Sequence, residues 1–206
     1  VGCWTETELK IPVADLNGVR ERLSAADAEL RRRRQREVNV LFDTLDGALY
    51  GQGRALRLRR FGQEWILTHK GPARYSGQVK HREELELGVA DGEVLAMILE
   101  RLGLVPWVRY EKDREVWRLQ VDLEQEGADA ADPEDLTLAG HDVEICLDHT
   151  PLGDFVELEG PERVLGGACE QLGLDPGLAV RGSYVALWDE HRLRHPEAPR
   201  DMVFEP

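Results

Sequence analysis

No stretch of the 206 residues approaches the roughly 18 to 20 continuous apolar residues of a membrane-spanning helix. The amino end, Val1-Gly2-Cys3-Trp4-Thr5-Glu6, lacks both the basic and the apolar region of a signal peptide, and opening on Val rather than Met suggests a trimmed start. Cysteine is scarce. Cys3, Cys146 and Cys169 are odd in number and without metal-ligand spacing, which argues against a disulfide framework and for reduced thiols. A soluble, cytoplasmic protein is expected. Positive charge is also in deficit: 40 Asp and Glu against 26 Lys and Arg give −14 at pH 7, which argues against broad-surface binding of nucleic acid. No Gly-rich loop is followed by Lys-Ser or Lys-Thr, so any phosphate must be held by side chains rather than by a helix N-terminus. His191 and His195 lack the Glu of a zinc-protease motif. The tryptophans are scattered and expected at core or rim, with Trp4 and Trp65 the candidates for stacking on a ring.

What the chain does have is alternation. Runs near 4–11, 36–44, 54–60, 64–70, 79–87, 108–118, 142–148 and 155–159 switch between charged and apolar residues with period two, the mark of strands with two unlike faces. Asp46-Gly47, Gly51-Gln52-Gly53 and Gly71-Pro72 separate several of them, so an antiparallel sheet is expected. Helical spacing joins Leu16, Val19 and Leu23; Val94, Ile98 and Leu102; and Val164, Ala168 and Leu172. Asp91 and Ser183 read as N-caps, the latter of a helix through Trp188 to His191, and Pro161 suits a first helical turn. Arg31-Arg32-Arg33-Arg34-Gln35-Arg36 reads as a helix end leading into a strand. The acidic segment 124–141 reads as a solvated loop. With no linker or repeat, one domain is expected over 1–195, followed by a loosely ordered tail, 196–206.

The polar faces carry almost only formal charges: Glu6, Glu8 and Lys10; Arg57 and Arg59; Lys70; Arg82, Glu84 and Glu86; Lys112 and Arg114; Asp148; Glu157 and Glu159. Members of each set are two apart and point the same way. A single such face is ordinarily a solvated surface with weak ion pairs. Seven of them, with amphipathic helices available to cover the apolar faces from outside, fit a closed barrel with a charged lumen. Clustered carboxylates offer hard oxygen ligands for Mg²⁺ or Mn²⁺, and clustered Arg and Lys offer donors matched to phosphate, a combination suited to phosphoryl or nucleotidyl chemistry.

Glu6-Thr7-Glu8-Leu9-Lys10 resembles the ExExK signature of the CYTH superfamily, the triphosphate tunnel metalloenzymes. The resemblance continues in family order through Asn39 to Thr44, Leu56 to Arg59, Leu67 to Gly71, Arg82 to Glu86, Glu111 to Arg114, Val143 to Asp148, Leu152 to Glu159 and Ser183-Tyr184. It implies an α+β fold: a closed eight-stranded antiparallel β-barrel with helices packed outside, binding tripolyphosphate, thiamine triphosphate or ATP with Mg²⁺ or Mn²⁺. It further implies metal-side carboxylates Glu6, Glu8, Asp148, Glu157 and Glu159, of which Glu6, Glu8, Glu157 and Glu159 carry the chemistry. Lys10, Arg57, Arg59, Lys70, Arg82, Lys112, Arg114 and Arg181 would hold triphosphate, with Glu84 and Glu86 supporting. Arg181 lies two residues before Ser183, where many relatives have a Lys just before Ser-Tyr. The implied activity is triphosphate hydrolysis, with a class IV adenylyl cyclase and a non-catalytic polyphosphate or nucleotide sensor as alternatives. The His-Phe pair upstream of ExExK in some cyclases has no counterpart in Val1-Gly2-Cys3-Trp4, which tilts the expectation toward hydrolase. No nucleic-acid or membrane partner is expected; a homodimer is compatible with the resemblance, with no interface legible.

Overall fold

The computed structural model describes residues 2–121 and 141–205, so 124–140 of the acidic segment lie outside the described residues. Its strands are β1 (Gly2–Val13), β2 (Glu29–Asp43), β3 (Ala55–Phe61), β4 (Glu64–Lys70), β5 (Arg74–Ser76), β6 (Val79–Val89), β7 (Val105–Val121), β8 (His141–Thr150) and β9 (Gly153–Glu159). Pairing runs β1-β9-β8-β7-β2-β3-β4-β6, and β6 returns to β1, closing an eight-stranded antiparallel barrel. The short β5 pairs with β6 alone. Three residues are too few for alternation to declare a strand, so β5 has no counterpart among the sequence runs.

The helices are α1 (Leu16–Ala25), α2 (Ala48–Gly51), α3 (Gly92–Arg101), α4 (Glu162–Gln171) and α5 (Tyr184–Arg194). Asp15, Asp91 and Ser183 cap α1, α3 and α5 by accepting backbone N–H bonds in the first turn. On the outer face of β1, β7, β8 and β9, Leu9, Ile11, Leu119, Ile145 and Leu158 pack with Val19 and Leu23 of α1 and Leu165 and Ala168 of α4. Each fully buried Leu or Ile contributes about 1.5–3 kcal/mol. This outward core leaves the intervening residues of the same strands, the charged ones, facing the lumen.

One sequence expectation changes. Arg31 to Arg36 belong to β2 rather than to a helix end. Pairing with β7 shifts register between Leu30 and Arg32 and again between Arg32 and Gln35, and these bulges erase the period-two signal. Residues 196–205, expected to form a loosely ordered tail, meet the rest of the chain at two points. Met202, wholly buried, donates its N–H to the Arg109 carbonyl at 3.0 Å and accepts from Glu111 N–H at 2.8 Å, while Pro199 O accepts from the Trp188 indole at 3.1 Å. One β-bridge and one apolar plug leave no periodic trace.

Candidate functional site

Barrel closure places the inward residues of all eight strands around one cavity of about 640 Å³. β1 supplies Glu6, Glu8 and Lys10, β3 supplies Arg57 and Arg59, and β4 supplies Lys70. β6 contributes Arg82, Glu84 and Glu86, β7 Lys112 and Arg114, and β9 Glu157 and Glu159.

The ladders decide which charges meet. Glu8 stands opposite Glu159 and Lys10 opposite Glu157 across β1 and β9, whereas Glu6 stands opposite Arg82 across β1 and β6. The carboxylates consequently fall into two groups. Asp148 and Glu157 are bound up in ion pairs. Asp148 accepts from Arg114 Nε at 2.7 Å, from Lys112 Nζ at 3.0 Å and from the Tyr184 hydroxyl at 2.8 Å. Glu157 pairs with Lys10 at 2.9 Å and with Arg114. Burial opposes the charge on Glu157, but Lys10, Lys112 and Arg114 outweigh it and hold the carboxyl well below its ordinary range. Asp148, expected on the metal side, has both oxygens occupied by protein donors and does not line the cavity.

The second group is marked by convergence, although Glu8 pairs with Lys80 at 2.5 Å and Glu6 approaches Lys70 at 3.5 Å and Lys80 at 3.6 Å. Glu6, Glu8 and Glu159 each bring a carboxylate oxygen within 4.8 Å of the others. Among the described residues Glu159 has no side-chain hydrogen bond or ion pair, and Glu6 Oε2 is buried without a hydrogen-bond partner. Burial, then repulsion from Glu6, pushes the Glu159 carboxyl well above its ordinary range, although Arg114 opposes the shift. For Glu6, burial opposes ionisation, yet Lys70, a hydrogen bond with Glu84, Lys80 and Arg57 keep it low. Glu84 is pushed up to about 7 by burial and by Glu6, against the pull of Lys70. Three convergent hard oxygen donors, one of them without an ion pair among the described residues, suit a hard divalent cation.

The basic residues differ as much. Arg82 spends its guanidinium on the Gly71 carbonyl at 2.6 Å and the Gly53 carbonyl at 3.0 Å, tying two turns to the wall. Arg114 is held by Asp148 and Glu157. Arg57 and Arg59 instead each retain a buried Nε with no partner. Arg57 touches Glu86 at 3.4 Å, and Arg59 approaches Glu37 no closer than 3.7 Å. Arg181 is outside this set: it is exposed, donates to Gln78 Oε1 at 3.2 Å and Gly77 O at 2.5 Å, and lies over Tyr75. Its position, outside the cap of α5, directs it to the β5–β6 turn.

Lys80, which lines the cavity, and Glu37, which pairs with lumen cations without lining it, were not among the predicted site residues. Lys80 precedes Arg82 by two in a run already recognised, so its inward position was legible from parity. Glu37, fully buried, bonds Asn39 at 3.0 Å and approaches Lys112 at 3.6 Å. Lying at the start of its run, beside the bulged part of β2, it had no such marker.

A CYTH domain model matches residues 5–163. A Methanocaldococcus jannaschii protein whose name proposes an adenylate cyclase is 30% identical over 157 residues, 75% of each chain. Among solved structures, a Vibrio parahaemolyticus protein described as a proposed adenylate cyclase superposes with TM-score 0.68 at 18% identity, covering 89% of this chain and 97% of its own. A Pyrococcus horikoshii protein gives 0.61 at 25% identity, over 91% and 99% of the two chains. A Hippeastrum protein described as a proposed adenylyl cyclase with a dominant triphosphatase activity gives 0.61 at 18%, over 90% and 96%. The two likenesses at 18% speak for the fold alone.

Proposed function

The chain belongs to the CYTH family of triphosphate tunnel metalloenzymes, and on that premise we propose that it hydrolyses a triphosphate in its lumen with Mg²⁺ or Mn²⁺. The observation that carries this reading is the coexistence, in one cavity, of the carboxylate trio Glu6, Glu8 and Glu159 with the incompletely partnered guanidinium groups of Arg57 and Arg59.

Glu6, Glu8 and Glu159 would hold the ion, which supplies neutralisation of the charge on the phosphate oxygens. Arg57 and Arg59 bind the anion through donors left without protein acceptors, and a guanidinium can grip two phosphate oxygens at once. Lys10 and Lys112 add fixed positive charge. Burial opposes their protonation, but Glu157 and Glu8 around Lys10, and Asp148 and Glu157 around Lys112, against Arg114, keep both ammonium groups charged. Arg82 and Arg114 orient the wall by holding turn carbonyls and carboxylates. The closed barrel limits competing solvent around these groups, so each charge acts more strongly than it would on an open surface.

Cyclase chemistry is the second reading. It is supported by the cavity, whose volume lies within the roughly 300–1,000 Å³ of pockets for ligands the size of a nucleotide, and by the archaeal relative's name. The purified protein is incubated with tripolyphosphate, thiamine triphosphate and ATP plus Mg²⁺ or Mn²⁺, and phosphate and cyclic AMP are assayed separately. Phosphate release without cyclic AMP is expected. Cyclic AMP without phosphate from tripolyphosphate favours the cyclase, and neither product with either ion favours a binding protein.

A further inference from the structure

Lys80 stands opposite Glu8 in the β1–β6 ladder and points into the lumen, 7% exposed. Its Nζ lies 2.5 Å from Glu8 Oε1 and 3.6 Å from Glu6 Oε2. These are two of the three carboxylates that converge with Glu159. The ammonium is therefore seated against the oxygens that would receive a divalent ion. An ammonium and a divalent cation cannot share the same carboxylate oxygens without strong repulsion at such short range. Moving away from Glu8 leaves a buried ammonium that needs another anion. Lys10 and Glu157 already pair at 2.9 Å, and Lys70 already engages Glu84, so the neighbouring carboxylates are taken.

We infer that Lys80 is a resident counter-cation of Glu6 and Glu8 that a divalent ion must displace, and that a triphosphate in the lumen receives the displaced ammonium, so that ion and triphosphate load together. This rests on the metal-dependent reading above. It assigns the coupling between the two ligands to one residue and makes that coupling reciprocal: triphosphate tightens the ion as much as the ion tightens triphosphate.

The test is Mn²⁺ binding, followed by the electron-spin-resonance signal of the free ion, with and without an imido-bridged triphosphate that resists hydrolysis. In the wild type the triphosphate should tighten Mn²⁺ about tenfold or more, a usual size for coupled sites. Lys80→Met should bind Mn²⁺ alone about tenfold more tightly than the wild type and lose most of that coupling. Lys80→Arg, which keeps the charge, should show no such gain. If Lys80→Met leaves too little folded protein without metal, its melting temperature should still rise more with added Mn²⁺ than that of the wild type. Equal or weaker Mn²⁺ binding by Lys80→Met, or an equal gain in Lys80→Arg, overturns the inference while leaving the metal site standing. Mn²⁺ binding that is absent from every protein, or unchanged by Glu159→Gln, removes the site itself and the inference with it.

Discussion

The Tyr184 hydroxyl donates to Asp148 Oδ2 at 2.8 Å, linking the first turn of α5 to a carboxylate that also anchors Lys112 and Arg114. The ring lies beneath two cations, with Lys10 Nζ 4.4 Å and Lys112 Nζ 4.9 Å from its centroid. A helix outside the barrel thus fixes the charges inside it. Tyr184→Phe keeps the ring and removes the donor to a buried charged acceptor. It should cost about 1–3 kcal/mol in chemical denaturation. A variant as stable as the wild type would show that Asp148 is satisfied by Lys112 and Arg114 alone.

Glu159→Gln separates metal binding from folding. Without metal, the substitution removes a carboxylate crowded by Glu6, Glu157 and Glu8, so melting in chelator should be unchanged or slightly raised. Turnover of tripolyphosphate should fall about 100-fold or more, the scale of losing one group that stabilises developing charge. Glu8→Gln should also abolish turnover. Full activity in either variant would defeat the ligand assignment.

Asp43 predicts part of the acid sensitivity. Its Oδ1 accepts from Thr44 N–H at 2.7 Å and Leu49 N–H at 2.8 Å, and its Oδ2 accepts from Tyr50 N–H at 2.8 Å, so one carboxylate organises α2. Burial opposes the charge, but these backbone donors prevail and hold its pKa below the usual 3.8. A lowered folded pKa gives stabilisation that is present above 3.8 and lost as pH falls through the folded value. Asp43→Asn turns an NH₂ toward a backbone donor. It should cost about 0.5–2 kcal/mol near neutrality, the range for a lost helix cap, and flatten the loss of stability below pH 3.8. An unchanged acid limb would refute the assignment.

Gly92, the first residue of α3, is required by Trp65. A Cβ at position 92 would lie 2.2 Å from two atoms of the indole, which is flanked by the Arg60 guanidinium. Gly92→Ala should destabilise by about 1–3 kcal/mol despite the better helix propensity of Ala. The effect should shrink in Trp65→Leu, because neighbouring substitutions couple. Full additivity in the double variant would show that the two residues do not press on each other.

The barrel and its charged lumen were legible because alternation is local: Glu6, Glu8 and Lys10, or Glu157 and Glu159, declare their common face through spacing alone. The separation of Glu157 from Glu159 was not legible. Register sets Glu157 opposite Lys10 and Glu159 opposite Glu8, and register depends on pairing between strands about 150 positions apart. Arg181 illustrates the same limit, since proximity to Ser183 in sequence says nothing about which side of the α5 cap its side chain takes.

Arg59 carries the sharpest test of a multi-phosphate cradle. It extends from β3 into the cavity, where its Nε is buried without a partner and the nearest carboxylate oxygen, on Glu37, is 3.7 Å from Nη1. Arg114 and Arg82 lie in the same cavity but spend their donors on Asp148, Glu157 and two turn carbonyls, so removing them would damage the wall before it damaged binding. Arg59→Ala should therefore keep the fold and weaken tripolyphosphate binding about 10- to 100-fold, the worth of one or two charge-assisted hydrogen bonds. Orthophosphate can settle against other cations, so its affinity should change by no more than about threefold, within the small effects of a single screened charge. Calorimetric titration of both anions reads the difference. Equal losses would mean that Arg59 adds only diffuse positive potential and that the lumen does not grip a chain of phosphates.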